Sequence, residues 1–345
     1  MKKLNLVTIA LLLLWNISLF ATEVKLTKPD GKSADMSKPV QVYILMGQSN
    51  MLNFGKKQML ESACKEGKYP YLMDESGAWT VRKDVRNIQV MGSGDGNAKT
   101  LKNEWMTVSG NVGVEMGIGH YLGQATDAPV MILKSAIGNR SLGWDLLPPG
   151  SPRYTHDGEE QPGYKETIKS KKDKTIVPFV KGGDCLQWYA GLQYDGDVRR
   201  AKEVLDNLAN HYPGATKYEV AGFFWWQGDK DFRNKAHAAK YEENLVNLIK
   251  ALRKDFNAPN AKFVIATLGQ TKKDASGTLG QILNAKMAVA DYSKYPDHKG
   301  NVATVYTNPV IKGGSSSGHY SGNAETYMNV GELMGKAMVE LLDNK

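Results

Sequence analysis

Five short apolar runs, spaced by stretches of helical periodicity, constrain this chain more than any other feature. The runs are VQVYILMG (40–47), PVMILKSAIG (129–138), YEVAGFFWWQG (218–228), KFVIATLG (262–269) and NVATVYTNP (301–309). Each is continuous rather than alternating, so each must bury both faces. Helix-like segments precede the last four runs, at 113–126, 197–212, 236–256 and 277–293, and a fifth closes the chain at 323–344. In the third of these, Leu245, Leu248, Ile249 and Leu252 form an apolar stripe at helical spacing. Strands alternating with helices predict an α/β fold. The expected form is a three-layer α/β/α sandwich on a doubly wound parallel sheet of the flavodoxin-like kind.

Two regions break the rhythm. Residues 55–110 carry many charges, glycines and asparagines, and residues 141–195 are rich in Pro, Gly and Lys. Both read as long loop insertions, which in a compact domain usually form walls or lids of a site. The lysine run Lys169–Lys174 reads as a solvated face.

The first 21 residues read as a secretory leader. Lys2 and Lys3 precede an apolar stretch from Leu4 to Phe20, and Ala21 supplies a small residue for cleavage. The expectation is a single domain over 22–345, exported and with no membrane span after cleavage. The formal charge of +8 falls to +6 once Lys2 and Lys3 leave with the leader. That charge is mild, and no arginine–aromatic stripe argues for nucleic acid. The two cysteines, Cys64 and Cys185, permit a disulfide in an oxidising compartment and equally permit two free thiols. No His, Cys or Asp cluster has metal-ligand spacing, so neither metal nor cofactor is expected.

In a parallel sheet, ligands bind beyond the carboxyl ends of the strands. Three of those ends are polar and contain glycine: Gly47-Gln48-Ser49-Asn50, Gly138-Asn139-Arg140-Ser141 and Gln227-Gly228-Asp229-Lys230-Asp231. Ser49 at the first end can act as a nucleophile if a base is near, or can merely cap the next turn. Of the six histidines, His319 alone lies in a loop just after a strand. A backbone N–H at Gly138, the Ser49 N–H and the Gln227 amide could converge as an oxyanion hole. Asn139, Gln48, Trp144 and Arg140 are further substrate-binding candidates.

The blocks GQSNM, GNRSLGW, WWQGDKD and GHYSGNAETY resemble, in order, those of the sialate O-acetylesterase-like branch of the SGNH hydrolases. The resemblance implies removal of acetyl groups from carbohydrate hydroxyls by a metal-free serine mechanism. It implies Ser49 as nucleophile, His319 as base, and Gly138 and Gln227 as oxyanion donors. Glu115 falls where the family has a buried structural glutamate. One departure stands out. The family's orienting aspartate, three residues before the histidine, is Ser316 here. Asp229 and Asp231 are candidates to complete the triad, Glu325 is a third that a helix N-terminus explains equally well, and a Ser–His dyad with a backbone carbonyl holding the ring is the alternative. A glycan-binding protein without catalysis, and an esterase for aryl or lipid esters, are the alternatives. The sugar and the oligomeric state are not readable from the sequence.

Overall fold

The computed structural model describes residues 25–343, so the leader and its cleavage point lie outside the described residues. The central sheet has seven strands: β1 (Val40–Gly47), β2 (Arg82–Met91), β3 (Lys99–Met106), β4 (Val130–Ser135), β5 (Tyr218–Trp226), β6 (Lys262–Ala266) and β7 (Val302–Val305). Their spatial order is β7-β6-β5-β1-β4-β2-β3. All neighbours are parallel except β3, which pairs antiparallel with β2. The main helices are α1 (Lys57–Lys65), α2 (Glu115–Ala125), α3 (Leu192–Asp206), α4 (Tyr241–Asp255), α5 (Gly277–Val289) and α6 (Ala324–Asp343).

Two separate cores flank the sheet, and their composition explains the continuous apolar runs. In β1, Val42, Ile44 and Met46 enter one core while Tyr43 and Leu45 enter the other. In β5, Trp225 and Trp226 are both fully buried, one on each side. Helices α3, α4 and α5 cover the first core, and α1, α2 and α6 cover the second. The result is the three-layer α/β/α sandwich. The five expected runs are β1, β4, β5, β6 and β7.

Residues 55–110 require a correction. They are not a loop insertion, for they hold α1 and two strands of the sheet. Strand β2 hides from an apolar scan because it buries Arg82, Arg86, Asn87 and Gln89 beside Val85, Ile88 and Val90. Arg86 spends its charge on the His211 carbonyl and Asn103, and lies over the Trp105 ring. Residues 141–195 do contain a long excursion, stiffened by two small hairpins. These pair Tyr154–His156 with Glu159–Gln161 and Glu166–Ile168 with Ile176–Pro178. Cys64 and Cys185 are unbridged. Among the described residues, no helix is long and apolar enough to cross a membrane.

Candidate active site

Strand β1 lies between β4 and β5, so the chain leaving β1 emerges between the ends of two other strands. Gly47 makes that exit possible. Its φ is 146°, and a Cβ there would stand 2.4 Å from the Trp226 carbonyl oxygen. A short 3₁₀ turn, Ser49–Met51, follows. Ser49 is 9% exposed. Neither its hydroxyl nor its backbone N–H has a hydrogen-bond partner among the described residues. Gly138 faces it: a Cβ on Gly138 would lie 3.4 Å from the Ser49 Cβ. The Gly138 N–H is likewise without an acceptor among the described residues. Ser49 and Gly138 therefore stand side by side at the carboxyl edge of the sheet, and among the described residues neither backbone N–H has an acceptor.

Several expected substrate contacts prove to be braces instead. Gln48 is buried, and its Oε1 accepts from the Gly228 and Lys230 N–H groups at 3.2 Å each. It ties the serine's turn to the loop after β5. Gln227 is fully buried, and its amide has two hydrogens. Both are used, one on the Arg140 carbonyl at 2.9 Å and one on Asp231. Its Oε1 accepts from the Tyr241 hydroxyl at 2.8 Å. No donor remains for an oxyanion, so Gln227 positions the Arg140 loop. Lys286, also fully buried, donates to the Gln227 and Ala266 carbonyls. Burial drives its ammonium down to about 7.

Asp231 also departs from expectation. It is fully buried and accepts from the Leu142 N–H at 2.9 Å, the Gly143 N–H at 2.8 Å and Gln227. Among the described residues, the imidazole paired with it is that of His237, at 3.8 Å. Burial raises the Asp231 carboxyl and lowers the His237 imidazole. Asp231 thus anchors the loop carrying Trp144 and does not orient His319. Arg140 donates to Gln193, Ser93 and the Gly138 and Asn139 carbonyls, and packs on Trp188. Four of its five donors are engaged, so it stiffens the loop. Asn139, with φ of 57°, is exposed and its amide makes no hydrogen bond among the described residues. A cavity of about 470 Å³ opens beside Asn139, lined also by Arg140, Trp144, Trp188, Lys230 and His237.

His319 sits at the start of a left-handed turn. His319, Tyr320 and Ser321 have φ of 49°, 51° and 55°. Three successive residues in that region are unfavourable and need support. Tyr320 supplies it: fully buried, stacked on Trp226 at 5.6 Å, it accepts from the Gly269 N–H at 3.1 Å. Tyr327 donates to the His319 carbonyl at 3.3 Å. The imidazole lies flat on Phe54, with 3.8 Å between centroids and 3° between planes. The turn of Ser49 packs against this segment. Among the described residues, no carboxylate oxygen lies within 4.0 Å of the His319 ring nitrogens.

The nearest thing to a third member is Asp229, which is 8% exposed. Its Oδ1 accepts from both the Ser316 and Ser317 hydroxyls at 2.7 Å, and its Oδ2 meets Arg233 at 3.2 Å. Ser316 also exchanges two hydrogen bonds with the Gln270 amide. So a carboxylate from the end of β5 grips the turn on which His319 is mounted, at the position where an aspartate was expected. It reaches the turn and not the imidazole. From the sequence, Phe54, Ser317 and Trp188 are not singled out, and Lys230 enters only as part of the polar strand end 227–231.

A family model described as carbohydrate esterase, sialic acid-specific acetylesterase, matches residues 163–340, which is 178 of the 345 residues. That span includes Gln227, Asp229, Asp231 and His319 and begins after Ser49 and Gly138. No curated protein sequence matches the chain. Among solved structures it is similar to a carbohydrate acetylesterase from Xanthomonas citri, at 15% identity and a TM-score of 0.51, over 88% of this chain and 57% of that one. It is also similar to NanS, at 13% identity and a TM-score of 0.48, over 91% of this chain and 100% of that one. A protein from Arabidopsis thaliana aligns at 16% identity and a TM-score of 0.48, over 87% and 98% of the two chains.

Proposed function

The chain belongs to the sialic acid-specific acetylesterase family of carbohydrate esterases, and on that premise we propose that it is an exported serine esterase removing O-acetyl groups from carbohydrates through an acetyl-enzyme. The Ser49 hydroxyl attacks the acetyl carbonyl carbon and His319 takes its proton. The oxyanion is held by the Ser49 and Gly138 N–H groups, with the Asn139 amide as the side-chain donor in place of Gln227. The intermediate collapses, His319 protonates the departing sugar oxygen, and the acetyl group stays on Ser49. Water, activated by His319, then releases acetate. The sugar lies in the cavity between Trp144 and Trp188, where aromatic faces can pack on a ring.

One observation supports this reading: Ser49, with its hydroxyl unengaged, stands beside Gly138, and among the described residues neither backbone N–H has an acceptor. The substrate class is tested by acetate release from acetylated xylan and from acetylated sialic acid, set against hydrolysis of a long-chain p-nitrophenyl ester. An acetylated carbohydrate is expected to exceed the long-chain ester in kcat/KM by about 10-fold or more. A long-chain ester hydrolysed as fast would contradict it.

Asp229 is assigned as a positioning residue that holds the His319 turn. Losing a charge-assisted hydrogen bond costs roughly 1.5–3 kcal/mol, which is about 10- to 100-fold in rate. Asp229→Asn should therefore lower kcat by about that factor, leave KM in place, and be largely rescued by Asp229→Glu. A carboxylate bonded to the imidazole itself would cost about 10⁴. A loss of that size, unrescued by Glu, would show that Asp229 acts on the ring directly.

A further inference from the structure

The second long insertion carries a basic tip that the chemistry above does not use. Between 165 and 184 there are six lysines against three carboxylates, Glu166, Asp173 and Asp184. Arg153 neutralises Glu166 at 2.8 Å, and Lys169 pairs with Asp173 at 3.6 Å. Lys165 reaches Asp195 at 3.6 Å. The side chains of Lys171, Lys172, Lys174 and Lys181 are exposed and make no ion pair or hydrogen bond among the described residues.

The position of this tip is fixed. The strand Glu166–Ile168 runs beside the segment 186–190: the Ala190 N–H donates to the Glu166 carbonyl at 2.8 Å, and the Leu186 N–H to the Ile168 carbonyl at 3.0 Å. Thr167 is fully buried and donates to the Leu186 carbonyl at 2.9 Å. The same segment presents Trp188 to the candidate substrate cavity. From Thr167 to Lys171 is four residues, at most roughly 14 Å of chain. The unpaired cations therefore sit on a hairpin whose first strand is hydrogen-bonded to the segment that carries Trp188. Side chains of this kind are solvated point charges, suited to a multiply charged partner and indifferent to its fine geometry.

Resting on the carbohydrate-esterase reading, we propose that the 165–181 hairpin docks an anionic polysaccharide, so that acetyl groups are removed from a charged polymer whose chain runs from the cavity across the lysines. Carboxylated and sulfated glycans offer the same charge, and the test separates them. Binding of the full-length protein to polygalacturonate and to heparin is measured by affinity electrophoresis at low and high salt. The comparison is with a variant combining Lys171→Gln, Lys172→Gln, Lys174→Gln and Lys181→Gln. The variant is expected to lose affinity for one or both polymers by about 10-fold or more at low salt, since the cations act together on a polyanion. The difference should vanish at 1 M salt, where the screening length is about 3 Å. With acetylated polygalacturonate as substrate, KM should rise in the variant while KM for p-nitrophenyl acetate is unchanged. Equal polymer affinity in the two proteins overturns the proposal. So does binding to phosphatidylglycerol vesicles without binding to either polymer. Failure to hydrolyse p-nitrophenyl acetate would instead strike the catalytic reading and leave the binding result standing.

Discussion

Ser49→Ala should lower kcat for p-nitrophenyl acetate by about 10³- to 10⁴-fold. The size follows from what this site has and lacks. In a serine protease with a complete triad, removing the serine costs about 2 × 10⁶, and removing the carboxylate alone about 3 × 10⁴. A serine and histidine without a bonded carboxylate thus retain roughly 10² over the oxyanion hole and binding. Asp229, bracing the His319 turn through Ser316 and Ser317, is assigned another 10 to 100. The product is the predicted loss. Steady-state kinetics on the purified variant, with a urea unfolding curve to confirm an unchanged fold, give the answer. A loss below about 10-fold would remove Ser49 from the chemistry.

Lys134→Met should destabilise the protein by about 3–5 kcal/mol, the largest stability effect expected of a single change near the site. Lys134 and Glu115 form a fully buried ion pair at 2.6 Å, with side chains 0% and 1% exposed. Burial alone would push the Glu115 carboxyl up, but Lys134 and the Gly113 N–H outweigh it and hold the carboxyl below its ordinary range. Asn53 joins both partners, donating to Glu115 at 2.9 Å and accepting from Lys134 at 2.8 Å. Replacing Lys134 by an apolar side chain leaves Glu115 charged and buried without its cation. The double variant Lys134→Met, Glu115→Gln removes the stranded charge and keeps an acceptor for Gly113 and Asn53. It should recover at least half of the loss in urea denaturation. Strict additivity of the two single changes would contradict the coupling. The pair also matters for activity. Asn53 precedes Phe54, whose ring carries the His319 imidazole, so kcat should fall along with stability.

Much of this was legible because the forces involved leave periodic marks. Runs such as VQVYILMG must be buried on both faces, and the two cores bear this out residue by residue. Ser49 and His319 stood out because a hydroxyl and an imidazole at the carboxyl edge of a sheet have few structural uses. What stayed hidden was polar. Strand β2 buries arginine, asparagine and glutamine, whose partners come from distant parts of the chain, so no local pattern marks it. Gln227 and Asp231 looked like reacting groups because polar residues at that edge usually meet solvent. They are instead saturated by loops separated from them by nearly ninety residues. Ser316 was readable as a departure. That its hydroxyl would grip Asp229 from another strand was not, since the contact spans 87 residues.

The central claim is that Ser49 is a nucleophile activated by His319. The most direct measurement is intact-mass and peptide mapping after exposure to a serine-reactive fluorophosphonate. The account predicts one adduct per chain, on Ser49, formed quickly in the native protein and at least about 10²-fold more slowly in His319→Ala. Absence of an adduct on Ser49, or labelling at the same rate without His319, would contradict it and leave a protein that binds glycans without cleaving them.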